Sequence, residues 1–185
     1  MPKKMTCQGC RLEETRCICP QQPPISSLIE VLVIRHALEI HRSSGSARLI
    51  PLVISNASII DIGKRGVAPP TEVSRGRTAL LFPGGVPISK AAPIDRLVVL
   101  DGSWGQARRM RYRLKCLSNL RTVTIPDSGR LPQKNLRKPR YAGELPTALA
   151  LAQALKALGE PMAAAALQKV YTSLYDALKR DRGLL

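Results

Sequence analysis

The sequence predicts an α/β domain. Short apolar runs rich in β-branched residues are typical of buried strands, and they occur at 29–34, 79–82, 97–100 and 121–125. Longer stretches with helical spacing of apolar residues alternate with them, at 104–117, 148–158 and 161–180. The chain has 185 residues, 44% of them hydrophobic, which fits one domain with a single, largely aliphatic core.

Four cysteines lie close together near the N-terminus, at Cys7, Cys10, Cys17 and Cys19. No secretory signal pattern precedes them, so we expect a cytoplasmic protein in which disulfides do not persist. Four thiolates at this spacing can surround one tetrahedral zinc ion. Such a closed site leaves no position for water or substrate, so the predicted knuckle, residues 1–24, is structural. The fifth cysteine, Cys116, is expected to be a small buried residue.

The segment after the first strand contains His36 and Glu39, followed by a Ser-Gly loop at 43–46 and short elements at 47–54 and 59–62. A histidine at a strand end is more often a hydrogen-bonded structural residue than a catalyst. Gly63-Lys64-Arg65-Gly66 is not a phosphate-binding P-loop, because the required first glycine and the hydroxyl residue after lysine are missing. The strand at 79–82 leads into a predicted Pro83-Gly84-Gly85 turn.

The strand at 97–100 is followed by Asp101, Gly102, Ser103 and Trp104. Ligands of open α/β sheets bind at the carboxyl ends of strands, so this turn is a candidate site. A purely structural alternative is that Asp101 and Ser103 only cap the next helix while Trp104 fills the core.

Positive charge is concentrated after this turn. The net charge is +16, and residues 101–140 contain eleven Lys or Arg against two acids. This distribution indicates a polyanionic partner, nucleic acid before membrane, although a solvated surface would also account for it. No apolar run is long enough to span a membrane.

In the last part of the chain, Thr147 is the expected N-cap of the helix at 148–158, which ends at Gly159.

These features together resemble the DTW-domain family. The similar elements are the C-x-x-C and C-x-C head, His36-x-x-Glu39, the apolar-Pro-Gly segment, Asp101-Gly-Ser-Trp104 with its basic helix, and a Thr before the next helix. The family resembles the SPOUT class, which implies a mainly parallel sheet flanked by helices, with a trefoil knot as an option. The resemblance divides the chain into the knuckle and a DTW catalytic domain at 25–185. Leu149 stands where family members commonly have Glu, which leaves Asp101 and Glu144 as the acids nearest the site.

The resemblance also implies an activity. Family members use S-adenosylmethionine to place a 3-amino-3-carboxypropyl group on a uridine of tRNA, and related proteins modify ribosomal RNA. By this resemblance the catalytic residues are Asp101, Ser103 and Trp104, and the cofactor-binding residues are Leu81, Phe82, Pro83, Gly84, Leu100, Asp101, Trp104, Tyr141, Leu145 and Thr147. The candidates for RNA phosphate binding are Arg108, Arg109, Arg113, Arg137 and Arg140.

Two alternatives stay open from the sequence. An RNA methyltransferase would use the same cofactor, and a zinc-knuckle RNA-binding protein without activity would need none. Asp101 could be the general base for the uridine N3 proton or could hold the ammonium group of the cofactor. The sequence leaves both a monomer and a homodimer open.

Overall fold

The computed structural model describes residues 5–125, 135–136 and 144–181. Its centre is a five-stranded sheet of β1 (Glu30–His36), β2 (Ala57–Ile62), β3 (Thr78–Pro87), β4 (Arg96–Asp101) and β5 (Arg121–Thr124). The strand order is β2-β1-β4-β3-β5, and every neighbouring pair is parallel. The predicted α/β class with a parallel sheet flanked by helices is therefore confirmed, while the trefoil knot stays a prediction.

Helices cover both faces of the sheet. They are α1 (Ile50–Val53), α2 (Trp104–Arg113), α3 (Thr147–Ala157) and α4 (Pro161–Asp181). Along the fully buried β4, Leu97 and Val99 join the core that contains α3 and α4, whereas Val98 and Leu100 join the core beneath α2. This alternation is the two-residue period of a strand buried on both sides. Asp101 is two residues after Val99, so its side chain points to the same face of the sheet as Leu97 and Val99, the face covered by α3.

Strand β3 differs from the prediction. The Pro83-Gly84-Gly85 segment does not end the strand, which continues to Pro87 with a register shift against β5 between Leu81 and Val86. A β-carbon on Gly85 would lie 2.4 Å from the Thr122 carbonyl oxygen, so only glycine lets β5 approach this closely. Gly84 has a φ of +85°, which glycine adopts without strain.

Two helix boundaries also differ. The predicted helix at 104–117 ends at Arg113, because Leu114 has an extended backbone and begins a separate 3-10 turn, Lys115–Leu117. This break lets Leu114 and Leu117 both reach the core beneath α2. Thr147 is not an N-cap: Pro146 holds that position, and Thr147 is the first helical residue. The short element expected at 47–54, either a helix or a strand by its sequence, is a 3-10 turn followed by α1.

The N-terminal knuckle packs onto the domain. Cys10 and Leu12 are buried in the larger core with α3 and α4. Arg16 forms an ion pair with Asp181 of α4 and donates to the carbonyl oxygen of Ala177 at 3.2 Å. The knuckle is therefore fixed to the surface of the domain at several points.

Candidate functional site

Asp101 is the residue at which the central strand ends. Its side chain is only 5% exposed, and one carboxylate oxygen accepts a hydrogen bond from the Thr147 hydroxyl at 2.6 Å. An O–H···O⁻ contact of this length is typical of a charge-assisted hydrogen bond. The end of β4 and the first turn of α3 are thus joined at one buried carboxylate.

Ser103 and Trp104 begin α2. The Ser103 hydroxyl accepts from the Gln106 amide, and the Gln106 side chain accepts from the Ser103 amide at 2.7 Å, which together form a capping box. The capping role that the structural alternative gave to Ser103 is therefore present, and its catalytic role stays a prediction. Trp104 is half-buried, and its ring meets that of Phe82 edge to face, with centroids 6.2 Å apart. It lies at the rim of a cavity, so the alternative in which it fills the core is not observed.

A cavity of about 330 Å³ opens beside these residues. Its volume is within the range of small-molecule binding pockets. Three segments form most of its wall: the loop at 42–46, the turn at 101–104 and the approach to α3 at 144–147. The lining residues are Arg42, Ser44, Gly45, Ser46, Asp101, Gly102, Ser103, Trp104, Asn135, Leu136, Glu144, Leu145, Pro146, Thr147 and Tyr171.

Arg48 holds the loop at 42–46 in place. Its guanidinium donates to the carbonyl oxygens of Arg42, Gly45 and Ser43 at 2.9, 2.6 and 2.6 Å, and to that of Cys10 at 2.8 Å. Burial lowers the pKa of Arg48 to about 10, so the group stays charged at neutral pH. One side chain therefore links the wall of the cavity to the cysteine knuckle.

The opposite end of the loop is also anchored. The Ser46 hydroxyl accepts a hydrogen bond from the backbone amide of Ala148, in the first turn of α3, at 3.1 Å. Two walls of the cavity, the serine loop and the start of α3, are thereby joined.

The residues predicted to bind the cofactor do not all line this cavity. Asp101, Trp104, Leu145 and Thr147 line it. Leu81, Phe82, Pro83, Gly84 and Leu100 do not line it, although Phe82 contacts the ring of Trp104. Tyr141 lies outside the described residues.

Several lining residues were not predicted from the sequence. Arg42, Ser44, Gly45, Ser46 and Tyr171 belong to the wall, and the Ser-Gly composition at 43–46 was interpreted only as a loop. Glu144, named from the sequence as an acid near the site, lines the cavity as expected. The cavity therefore contains two carboxylates, an arginine and an indole ring.

Helix α2 carries the predicted RNA-binding arginines. Arg108, Arg109 and Arg113 are exposed on its outer surface. Arg111 instead turns back and donates to the Leu117 carbonyl oxygen at 3.3 Å. The other two predicted RNA-binding residues, Arg137 and Arg140, lie outside the described residues.

The four N-terminal cysteines form a cluster with the spacing of a metal site. Their sulfur atoms all lie within 4.8 Å of one another, and the closest pairs are separated by 3.4, 3.6 and 3.8 Å. A tetrahedral zinc with Zn–S bonds of about 2.3 Å needs sulfur atoms about 3.8 Å apart, so the four residues fit this metal.

The thiols of the cluster differ in pKa: burial raises the pKa of Cys19, and the pKa of Cys17 is also raised. Hydrogen bonding to the backbone of Cys10, and then to the Cys17 thiol, lowers the pKa of Cys7 to about 6. Cys7 is thus favoured as a thiolate, the form that binds metal. Cys116 is not part of this cluster; it is half-buried rather than buried, and burial raises the pKa of its thiol.

The strand-end histidine has a structural contact. The Nδ1 atom of His36 accepts from the Leu38 amide at 3.2 Å and caps a 3-10 turn. Glu39 is buried and pairs with Arg42, Nε to Oε1, at 3.4 Å. The hydrogen-bonded role predicted for His36 is confirmed. Glu39 does not line the cavity itself but contacts Arg42, which does.

Comparison with known proteins gives one family. The model of the DTW domain matches residues 4–179 of this chain, which includes the cysteine head as well as the sheet. No solved structure matches the chain. Among the described helices, none combines the length and apolar character required to cross a bilayer.

Proposed function

Because the chain belongs to the DTW-domain family, we propose that it transfers the 3-amino-3-carboxypropyl group of S-adenosylmethionine to N3 of a uridine in tRNA. Membership is consistent with a role in tRNA modification. The observation that carries the finer proposal is a buried carboxylate, Asp101, facing a cavity of cofactor size beside the indole of Trp104.

The cavity residues suit the chemical groups of this cofactor. Asp101 and Glu144 offer carboxylates to an ammonium group, Arg42 offers a guanidinium to a carboxylate, and Trp104 offers a ring on which a base can stack. When bound, the cofactor supplies a sulfonium-activated γ-carbon, and no catalytic metal is required. A zinc ion held by the cysteine knuckle would stabilise the N-terminal segment without taking part in the reaction.

We assign the role of general base to Asp101. Uridine N3 is a weak acid that keeps its proton near neutral pH, so a positioned carboxylate contributes on the order of 10²- to 10⁴-fold by removing it. The N3–Cγ bond forms as the Cγ–S bond breaks, the sulfur keeps the electron pair, and the leaving product is methylthioadenosine. The N3 proton passes to Asp101, while the Thr147 hydroxyl holds the carboxylate in position.

Incubation of unmodified total RNA with the protein and S-adenosylmethionine, followed by nucleoside mass spectrometry, tests the reaction. We expect an aminocarboxypropyl uridine together with methylthioadenosine. Methylated nucleosides with S-adenosylhomocysteine would instead identify a methyltransferase. A protein that modifies no RNA and shows no binding of S-adenosylmethionine by calorimetry would be an RNA-binding protein without activity.

Two variants separate the acids of the cavity. Asp101→Asn should abolish turnover and leave RNA binding largely intact, whereas Glu144→Gln should keep measurable turnover. Loss of turnover in Glu144→Gln alone, with Asp101→Asn active, would contradict the assignment of the base.

A further inference from the structure

The outer surface of α2 carries an ordered row of side chains that begins at the cavity. Trp104, Arg108 and Tyr112 are separated by four residues each, so they follow one another along one side of the helix. Arg109 and Arg113 form a second row beside the first, also four residues apart. An aromatic side chain therefore lies at each end of a strip of arginines.

The guanidinium groups of this strip can bind phosphate without first breaking an ion pair within the described part of the chain. Helix α2 contains no Asp or Glu, and among residues 5–125, 135–136 and 144–181 no carboxylate pairs with Arg108, Arg109 or Arg113. By contrast, carboxylates or carbonyl oxygens engage the guanidinium groups of Arg16, Arg35, Arg42, Arg48, Arg77 and Arg96. Three exposed guanidinium groups without a carboxylate partner in that part of the chain thus lie on one helix that begins at the cavity.

Tyr112 is the unusual member of the strip. Its side chain is 79% exposed although tyrosine normally buries most of its ring. Nothing in the packing of α2 requires a tyrosine there, because the core side of the helix is formed by Met110 and Ala107. A flat exposed ring on the same helix surface as several guanidinium groups is an arrangement on which single-stranded RNA bases stack while their phosphates bind arginine.

We propose that Tyr112 stacks on an unpaired base of the RNA substrate close to the target uridine, while phosphates of the same strand bind Arg108, Arg109 and Arg113. This inference extends the proposed function, since it assumes that the target base enters at Trp104. The eight-residue spacing places the Cα atoms of Trp104 and Tyr112 about 12 Å apart along the helix axis, roughly the length of three to four stacked nucleotides. Because a base can stack on an exposed side chain only when it has left its own helix, the occupant is a looped or single-stranded RNA segment rather than a duplex.

The test measures RNA binding without turnover. Fluorescence anisotropy with a labelled 12-nucleotide poly-uridine RNA gives the Kd of the wild-type chain, Tyr112→Ala and Tyr112→Phe. The alanine variant should bind roughly 5- to 150-fold more weakly, and the phenylalanine variant, which keeps the ring, should bind like wild type. On an RNA of equal length with abasic sites, the alanine substitution should have no effect. Because Tyr112 is exposed and outside the cavity lining, its replacement should leave S-adenosylmethionine affinity unchanged.

Salt dependence separates stacking from charge. Tyr112→Ala should leave the slope of log Kd against log salt concentration unchanged. Arg108→Gln should reduce that slope by about 0.7, the contribution of one phosphate contact on a single strand. Equal binding by Tyr112→Ala and wild type, or an equal loss on abasic RNA, would overturn the stacking role. Competition by poly-glutamate as effective as that by RNA of equal charge would point to an acidic protein and overturn the RNA proposal.

These outcomes are independent of the chemistry. A chain that produces aminocarboxypropyl uridine but tolerates Tyr112→Ala without loss of RNA affinity refutes the inference alone. A chain that stacks RNA on Tyr112 but transfers nothing refutes the proposed function and leaves the RNA surface in place.

Discussion

The hydrogen bond from Thr147 to Asp101 can be measured by one substitution. Thr147→Val replaces the hydroxyl with a methyl group of nearly the same size, so the loss is chiefly that of the donor. Since Asp101 is 5% exposed, water cannot fully replace the contact. A hydrogen bond to a charged group contributes about 1.5–3 kcal/mol. We expect the free energy of unfolding to fall by about 2 kcal/mol, which lowers the Tm by roughly 4–8 °C in a chain of this length.

The matched control is Thr147→Ser, which keeps the hydroxyl and should lose less than about 1 kcal/mol. Thermal and urea unfolding followed by circular dichroism supplies both values. The Asp101→Asn background completes a double-mutant cycle, in which Thr147→Val should cost at least about 1 kcal/mol less than it does beside the carboxylate. The valine variant should also turn over more slowly, because the base is no longer held.

Two results would refute this reasoning. One is an identical Tm for the valine and serine variants, which would mean that the hydroxyl contributes nothing. The other is an unchanged cost of Thr147→Val when residue 101 is asparagine, which would mean that the hydroxyl does not act through the carboxylate.

Two further predictions concern the metal and the surface charges. The purified chain should contain about one zinc ion per molecule by elemental analysis. Cys19→Ser should lose this zinc, and the control Cys116→Ser should keep it. Equal zinc content in both variants would mean that the metal binds elsewhere. The hydrogen bond from Arg77 lowers the pKa of Asp95 from 3.8 to about 2. This ionised pair therefore favours the folded state above pH 3.8, and the contribution is lost as the pH falls through about 2. An NMR titration should find the low midpoint, and Arg77→Gln should move it upward; a wild-type midpoint at 3.8 would contradict the pairing.

Local patterns predicted the strands well. The buried β4 and the capping box of Ser103 follow from apolar runs and from side chains that bond within three residues of themselves. Asp101 was placed correctly at the end of its strand because that position depends on neighbouring residues alone. Such features need no knowledge of the rest of the chain.

The features that the sequence did not predict depend on contacts between residues far apart in the chain. The continuation of β3 beyond Gly85 depends on pairing with β5, which lies more than thirty residues later in the chain. Thr147 resembles an N-cap by residue type, but the carboxylate of Asp101 provides a stronger partner for its hydroxyl. The cavity wall at 42–46 depends on the carbonyl contacts of Arg48, which no periodicity reveals.

The contacts of Arg48 have a consequence for how the chain can be shortened. Removing the cysteine segment would leave the guanidinium without its Cys10 acceptor and would expose Arg48, now 8% exposed, to water. A trimmed chain would then hold the serine loop more loosely, even though the loop itself would be intact. The N-terminal segment thus supports one wall of the cavity through Arg48. Deleting it should weaken ligand binding even though no described residue of the segment lines the cavity.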